Sequence, residues 1–188
     1  MTPDQPPPEK PAETKHLLLG AAYWLRDLML SVVIAVVIIL FLYQPVKVEG
    51  TSMMPALEDQ ERIFINKFVY RFGLGDIERG DTVVFWFPRD PSKSYIKRVI
   101  GLPGDTIEVF EGEVRLNGAA VNEPYVAQEF RDRLTVPVTR VPPDSYYVMG
   151  DHRTSSNDSR AWGVVHRRFI YGKAVLVYWP FEKMGMLR

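Results

Sequence analysis

Three short stretches of this sequence concentrate residues able to do covalent chemistry. In GTSMMPAL (50–57), Ser52 follows the strand-like VKV and precedes Met53-Met54-Pro55, where Pro55 stiffens the chain. A serine at a strand-to-turn junction presents its hydroxyl and leaves nearby backbone N–H groups free to bind an oxyanion. The same position also suits a helix cap or an ordinary turn. In SYIKRVIGLPGD (94–105), Lys97 falls mid-strand beside Arg98. Strand alternation sends these two cations to opposite faces, so one can point inward while the other stays hydrated. A lysine acting as general base must be neutral, which requires its amine to fall from ~10.4 toward about 7–8. Burial supplies shifts of that size, and a drop of roughly 3 units corresponds to about 4 kcal/mol of differential solvation. A hydrated edge-strand lysine is the alternative. In MGDHRTSSNDSRAWG (149–163), Asp151, Arg153, Asp158 and Arg160 can form charge-assisted pairs that stiffen a loop. Ser156 in that loop can hydrogen-bond an amine and aim its lone pair. A turn-rich surface loop held by ion pairs is the plainer reading.

Chemistry spread over a hundred residues needs a scaffold, and the surrounding elements supply one. Met1 to Thr14 hold five prolines and several charges, too little apolar surface to order themselves, so 1–16 is expected to be a disordered tail. From Leu28 to Val46 run nineteen residues without a charge. Pro45 disfavours helix at Gln44, which leaves about 17 helical residues, or roughly 26 Å. With one more turn before Leu28, that spans a hydrocarbon core of about 30 Å. Tyr23, Trp24 and Arg26 suit one interface and Tyr43 the other. A buried core helix is the alternative, but globular helices of this length keep a polar face. The stretch exceeds a cleaved leader's apolar core and no small-x-small site follows it, so 17–45 is expected to be a permanent membrane anchor. Lys10, Lys15 and Arg26 before it, against Lys47 after it, favour the N-terminus inside and the bulk of the chain outside the cytoplasm.

After Val46 the pattern changes to short β-rich runs. RIFINKFV (62–69), DTVVFWF (81–87), SYIKRVI (94–100), DTIEVFEGEVRLNGAAV (105–121), DSYYVMG (144–150) and YGKAVLVYWP (171–180) all read as strands. Glu111-Gly112 and Asn117-Gly118 predict hairpin turns, and 56–59 and 165–169 suit short helical turns. The expected fold is mainly β: an antiparallel, barrel-like catalytic domain over 46–188, with a smaller β-ribbon insertion over 103–143, preceded by one transmembrane helix.

Composition narrows the function classes. Lys plus Arg and Asp plus Glu each total 23, and no basic stripe interleaved with aromatics occurs, so nothing points to nucleic acid. The chain has no cysteine, which rules out disulfides, a thiol nucleophile and a thiolate metal site. His16, His152 and His166 show no metal-ligand spacing. No metal and no cofactor are expected.

In order and separation, the three stretches resemble the boxes of the bacterial type I signal peptidases, or leader peptidases. Ser52-Met53-Met54-Pro55-Ala56-Leu57 matches the family's Ser-Met-x-Pro-Thr-Leu, and Lys97-Arg98 with Gly101-Leu102-Pro103-Gly104-Asp105 matches its Lys-Arg…Gly-x-Pro-Gly-Asp. Gly150-Asp151-His152-Arg153, Ser156-Asn157-Asp158-Ser159-Arg160 and Gly163 match its Gly-Asp-Asn-Arg, Ser-x-Asp-Ser-Arg and Gly. The resemblance runs from Arg26 to about Gly172 and so covers nearly all of the chain expected to be ordered. The resemblance implies Ser52 as nucleophile, Lys97 as general base, Ser156 orienting the amine, and Asp158, Arg160 and Asp151 as the supporting network. It implies Val48, Met53, Tyr95 and Ile96 as the lining of shallow pockets for the residues before the cut. Its oxyanion hole uses the N–H of the nucleophile, and a serine hydroxyl two positions earlier in some members. Gly50 stands there in this chain, so the second donor is left open. Ala56 for Thr and His152 for Asn are further departures, and His152 is expected beside the site, outside the proton path.

The partners so implied are exported preproteins cut after small-x-small sites and a lipid bilayer. The expected place is the bacterial inner membrane, single-pass, with the catalytic domain on the extracytoplasmic side. A dedicated peptidase with one substrate and a non-catalytic, membrane-tethered β module are the rival readings.

Overall fold

Hydrophobic patterning decides where helix gives way to sheet. The computed structural model describes residues 12–67, 70 and 75–187; positions 1–11 of the expected tail and 68–69 of the expected strand 62–69 lie outside the described residues. Helix α1 spans Ala12–Leu42, so it begins inside the segment expected as tail and stops two residues before Gln44. Its stretch Gly20–Val37 is long and apolar enough to cross a membrane, and none of it is buried. That exposure argues against a core helix. Residues from Leu42 onward form a unit of their own.

Pro45 cannot continue the helix, and Tyr43–Lys47 becomes strand β1, at a sheet edge where proline is tolerated. The chain continues through β2 (Arg62–Asn66), β3 (Thr82–Phe87) and β4 (Asp90–Gly101). The ribbon follows as β5 (Thr106–Phe110), β6 (Glu113–Leu116), β7 (Ala119–Ala120) and β8 (Val136–Arg140). It closes with β9 (Ser145–Met149), the short helix α2 (Ser159–Trp162), β10 (Val165–His166), β11 (Ile170–Trp179) and β12 (Gly185–Met186). The large sheet has the order β1-β2-β11-β3-β4-β9-β10, with β12 beside β11, and the ribbon the order β7-β6-β5-β8. Every strand pair is antiparallel. The expected mainly antiparallel β fold is therefore the observed one. Residues 56–59 form turns rather than helix, and 165–169 divides into β10 and a 3-10 turn at Arg167–Phe169.

Period-two alternation in β3 builds two cores at once. Val83 and Phe85 pack with Val99, Tyr146, Val148 and Ile170. Val84, on the opposite face, packs with Val48, Met53, Leu57, Ile63 and Ile65. Each such aliphatic side chain contributes about 1.5–3 kcal/mol by leaving water. Strand β9 is buried throughout. Its Tyr146 and Val148 face the first core, while Tyr147 and Met149 join Ile107, Val109 and Val114 of the ribbon in a third. The ribbon is thus seated on the same strand that leads into the polar loop 150–158. Its hairpins turn where expected: Glu111-Gly112 and Asn117-Gly118 all have positive φ, the requirement of tight two-residue turns.

Candidate active site

Ser52 is placed by a local fold that the sequence dictates. Beyond β1 the chain still pairs, with Val48 N–H donating to Glu61 O at 2.8 Å and Gln60 N–H to Val48 O at 2.9 Å. At Gly50 the backbone turns with φ +93, tied by its N–H to Asp59 Oδ1 at 2.8 Å. Turn bonds from Met54 N–H to Thr51 O and from Leu57 N–H to Met53 O follow. Met53 and Leu57 are sealed in the second core, so the segment is anchored on both sides of the serine. Among the described residues nothing accepts the Ser52 N–H.

Lys97 reaches this serine from β4. Its Nζ stands 2.6 Å from Ser52 Oγ and donates to Ile96 O at 2.9 Å. The amine also lies 5.6 Å from the centre of the Tyr95 ring. Lys97 is only 4% exposed, and among the described residues it has no carboxylate ion pair. Burial lowers its pKa from 10.5 to about 8; Asp158 and Asp151 oppose the shift, and Arg160 reinforces it. A neutral amine in this position can donate one N–H to Ile96 O and turn its lone pair to the serine O–H.

The partner cation behaves differently from expectation. Arg98 is 3% exposed, so both neighbours on β4 are buried. Its guanidinium is satisfied by Asp151 in bidentate fashion, at 2.9 and 2.7 Å, by Gly80 O at 2.8 Å, and by the Tyr125 ring beneath it at 4.3 Å. A planar fork matched to a carboxylate can be buried where a bare ammonium cannot. The loop 150–160 also pairs differently from its sequence order. Arg160 does hold Asp158, through Nε and Nη2 at 2.8 Å each, and burial alone would raise that carboxyl, but the guanidinium outweighs it and holds it low. Arg153 instead closes on Glu123, while Arg160 Nη1 takes Asp132; both acids come from the insertion. Burial pushes the Asp151 carboxyl upward.

Ser156 lies where a side chain on Gly150 would have to go: a Cβ there would meet Ser156 Oγ at 2.3 Å and Ser52 O at 2.4 Å. Glycine at 150 therefore lets the loop close on the Ser52 segment. Ser156 Oγ is buried beside the Asp158 carboxylate, so among the described residues the bond to Lys97 expected of it is not made and Ile96 O holds the amine. Thr51 Oγ1 sits 3.4 Å from Ser155 Oγ. Ser52 and Lys97 open into a cleft of about 500 Å³ between the 46–53 segment and Ser94–Lys97 of β4. Val48, Met53, Tyr95 and Ile96 all line it, joined by Val84 and Tyr171.

Residues 21–179 match the model of the family described as signal peptidase, peptidase S26. This chain belongs to that family of signal peptidases. Signal peptidase I of Bacillus licheniformis is 37% identical, with 94% of this chain and 96% of that protein covered. Signal peptidase I S of Bacillus subtilis is 39% identical over 86% of this chain and 90% of its own length, and signal peptidase I of Leptolyngbya laminosa 38% over 98% and 91%. A signal peptidase I of Enterococcus faecalis, known from a crystal structure, is 31% identical over 53% of this chain and 97% of its own, with a TM-score of 0.47. The chain is a peptidase of the signal peptidase family, and its N-terminal apolar helix accords with the membrane association of that family. Two polar residues of this signal peptidase fold, Glu123 and Asp132, went unnoticed in the sequence. Their only local signal is a lone acid among ribbon turns, because their partners lie 30 and 28 positions away.

Proposed function

We propose that this chain is a membrane-bound serine endopeptidase that removes signal peptides from exported preproteins, with Ser52 as nucleophile and Lys97 as general base. The observation that carries the reading is the 2.6 Å separation of Lys97 Nζ and Ser52 Oγ, with the amine buried and lowered to about 8. Ser52 Oγ adds to the scissile carbonyl carbon as its proton passes to Lys97. The oxyanion meets the unpartnered Ser52 N–H. When the C–N bond breaks, the Lys97 ammonium returns the proton to the departing amine. A water, deprotonated by Lys97, then opens the ester, releases the signal peptide and restores the serine. Asp158, Arg160 and Asp151 hold the loop against Ser52, and Ser156, pressed on Gly150 beside Asp158, swings its hydroxyl to the amine during turnover.

The substrate lies extended along the unpaired edge of β4 at Ser94–Lys97, adding its own backbone to the sheet. Val48 and Met53, locked in the second core, give the cleft a rigid floor that rejects large side chains and favours small-x-small sites. Helix α1 anchors the enzyme as a single span in the inner membrane, with the catalytic unit on the extracytoplasmic side. That anchor raises the effective concentration of a substrate whose own apolar segment is in the bilayer.

The test is cleavage of a preprotein by the full chain, Ser52→Ala and Lys97→Ala, with mass mapping of the residue acylated by a penem. The expected result is loss of cleavage in both variants and label on Ser52. Cleavage surviving in either variant overturns the mechanism.

A further inference from the structure

We infer that His152 is a positioning residue for the oxyanion: its imidazole orients and polarises the Thr51–Ser52 peptide, whose N–H receives the developing charge. The inference rests on Ser52 being the nucleophile. Two contacts bracket that serine. His152 Nδ1 lies 3.2 Å from Thr51 O, and the His152 backbone N–H donates to Ser52 O at 3.1 Å. A carbonyl oxygen only accepts, so Nδ1 carries the proton in this contact. Thr51 C=O and Ser52 N–H belong to one planar amide, so a donor on the oxygen fixes the direction of the N–H and makes it a stronger donor. The Met54 N–H, at 3.1 Å, fills the other lone pair of the same oxygen. Both acceptor sites are occupied, while the N–H at the other end of the amide is unpartnered among the described residues.

The imidazole itself is held from outside the large sheet. Phe130, on the 3-10 turn Gln128–Phe130 of the insertion, lies against it with ring centroids 3.9 Å apart and planes inclined at 31°. Arg131 ties that turn to Glu123 O at 3.1 Å. The ribbon thus reaches the reacting serine through Phe130, His152 and one amide. His152 touches no reacting atom in this arrangement and takes no part in proton transfer.

A hydrogen bond to an amide oxygen strengthens its N–H by about 10–30%, and one oxyanion donor is worth about 10²–10³ in turnover. Loss of the His152 bond is therefore expected to lower kcat roughly two- to eightfold with KM unchanged. The test compares His152→Asn with His152→Gln in the full chain. An Asn amide nitrogen falls where Nδ1 stands, whereas a Gln amide nitrogen falls where Nε2 stands, so the two differ in the one bond that matters. Asn is expected to keep kcat within about twofold and Gln to show the loss. Inhibition by a peptide aldehyde, which forms an oxyanion on Ser52, is expected to weaken in Gln by the same factor as kcat/KM. Equal behaviour of Asn and Gln, or a loss carried by KM, overturns the inference. Ser52→Ala is run beside them: if it still cleaves, the nucleophile assignment has failed, and if it is dead while Gln matches wild type, only the role of His152 has.

Discussion

Glu123 grips Arg153 with both carboxylate oxygens, at 2.8 and 2.6 Å, and joins the ribbon to the loop that closes on Ser52. The two residues are 2% and 3% exposed, and Tyr125 adds its hydroxyl to the same carboxylate at 2.9 Å. Arg153 Nε in turn donates to Gly150 O at 3.1 Å, so the acid on the insertion fixes the backbone against which Ser156 packs. The smaller sheet is a buttress of the loop 150–160.

Glu123→Ala strands a guanidinium out of water, which costs about 3–5 kcal/mol. The expected outcome is a fall of that size in denaturant stability, together with loss of cleavage as the loop shifts. Glu123→Met combined with Arg153→Met removes both charges in similar volume and is expected to regain most of the stability. Additive losses in the double variant would show that the two side chains act independently.

As the proposed general base, the amine of Lys97 works only when neutral, and burial lowers its pKa to about 8. Cleavage measured as kcat/KM is therefore expected to fall about tenfold per pH unit below 8 and to level off above it. Asp158 holds this value up by its charge, so Asp158→Asn is expected to move the acid limb to lower pH while reducing the plateau. A limb that stays in place or moves toward alkali would remove Asp158 from the electrostatics of the amine. Lys97→Arg keeps a cation that cannot lose its proton and is expected to be inactive throughout.

The same depression carries a stability cost with a definite sign. A lysine neutralised by folding is charged in the unfolded chain up to its ordinary 10.5, so folding opposes the amine most strongly below pH 8. A shift from 10.5 to about 8 corresponds to about 3 kcal/mol, offset in part by the bond to Ile96 O. Lys97→Met, of similar volume, is expected to be inactive and more stable by about 1–3 kcal/mol below pH 8. The gain should shrink through the window from 8 to 10.5. Denaturant titrations of both proteins at pH 7 and pH 10 check this, and a gain that grows with pH would contradict a buried neutral amine.

What could be read from the chain beforehand follows from the range of each interaction. Strands β3, β4, β9 and β11 announce themselves as short runs rich in β-branched and aromatic residues between turn signals, and the Ser52 and Lys97 stretches by residue types clustered within a few positions. The burial of Arg98 was not legible, because alternation says that Lys97 and Arg98 face opposite ways but not that both faces are covered. The insertion covers the second face: its Tyr125 lies against the Arg98 guanidinium, and its ribbon packs on the β9 side chains Tyr147 and Met149. The pairing of Arg153 with Glu123 spans 30 residues and leaves no periodic trace, whereas acids of its own loop stand close in sequence; packing of the insertion brings Glu123 beneath it.

Selectivity for small residues should reside in few side chains. Val48 and Met53 are 3% and 2% exposed and cannot yield without opening the second core, whereas Ile96 is half-buried at the cleft wall and packs against that core from its margin. Ile96→Ala therefore enlarges the cleft without emptying the core floor. A missing methylene in an apolar pocket changes discrimination by about 10–200-fold. The expected outcome is at least a tenfold rise in cleavage of a preprotein carrying valine or leucine at one of its two small positions, relative to the alanine substrate. Cleavage of the alanine substrate itself should stay within a few fold, since Ser52 and Lys97 keep their separation. Competition between paired preproteins in one vessel measures the ratio directly. An unchanged ratio would mean that Ile96 does not bound either pocket and that other lining residues, Val84 and Tyr171 among them, set the limit.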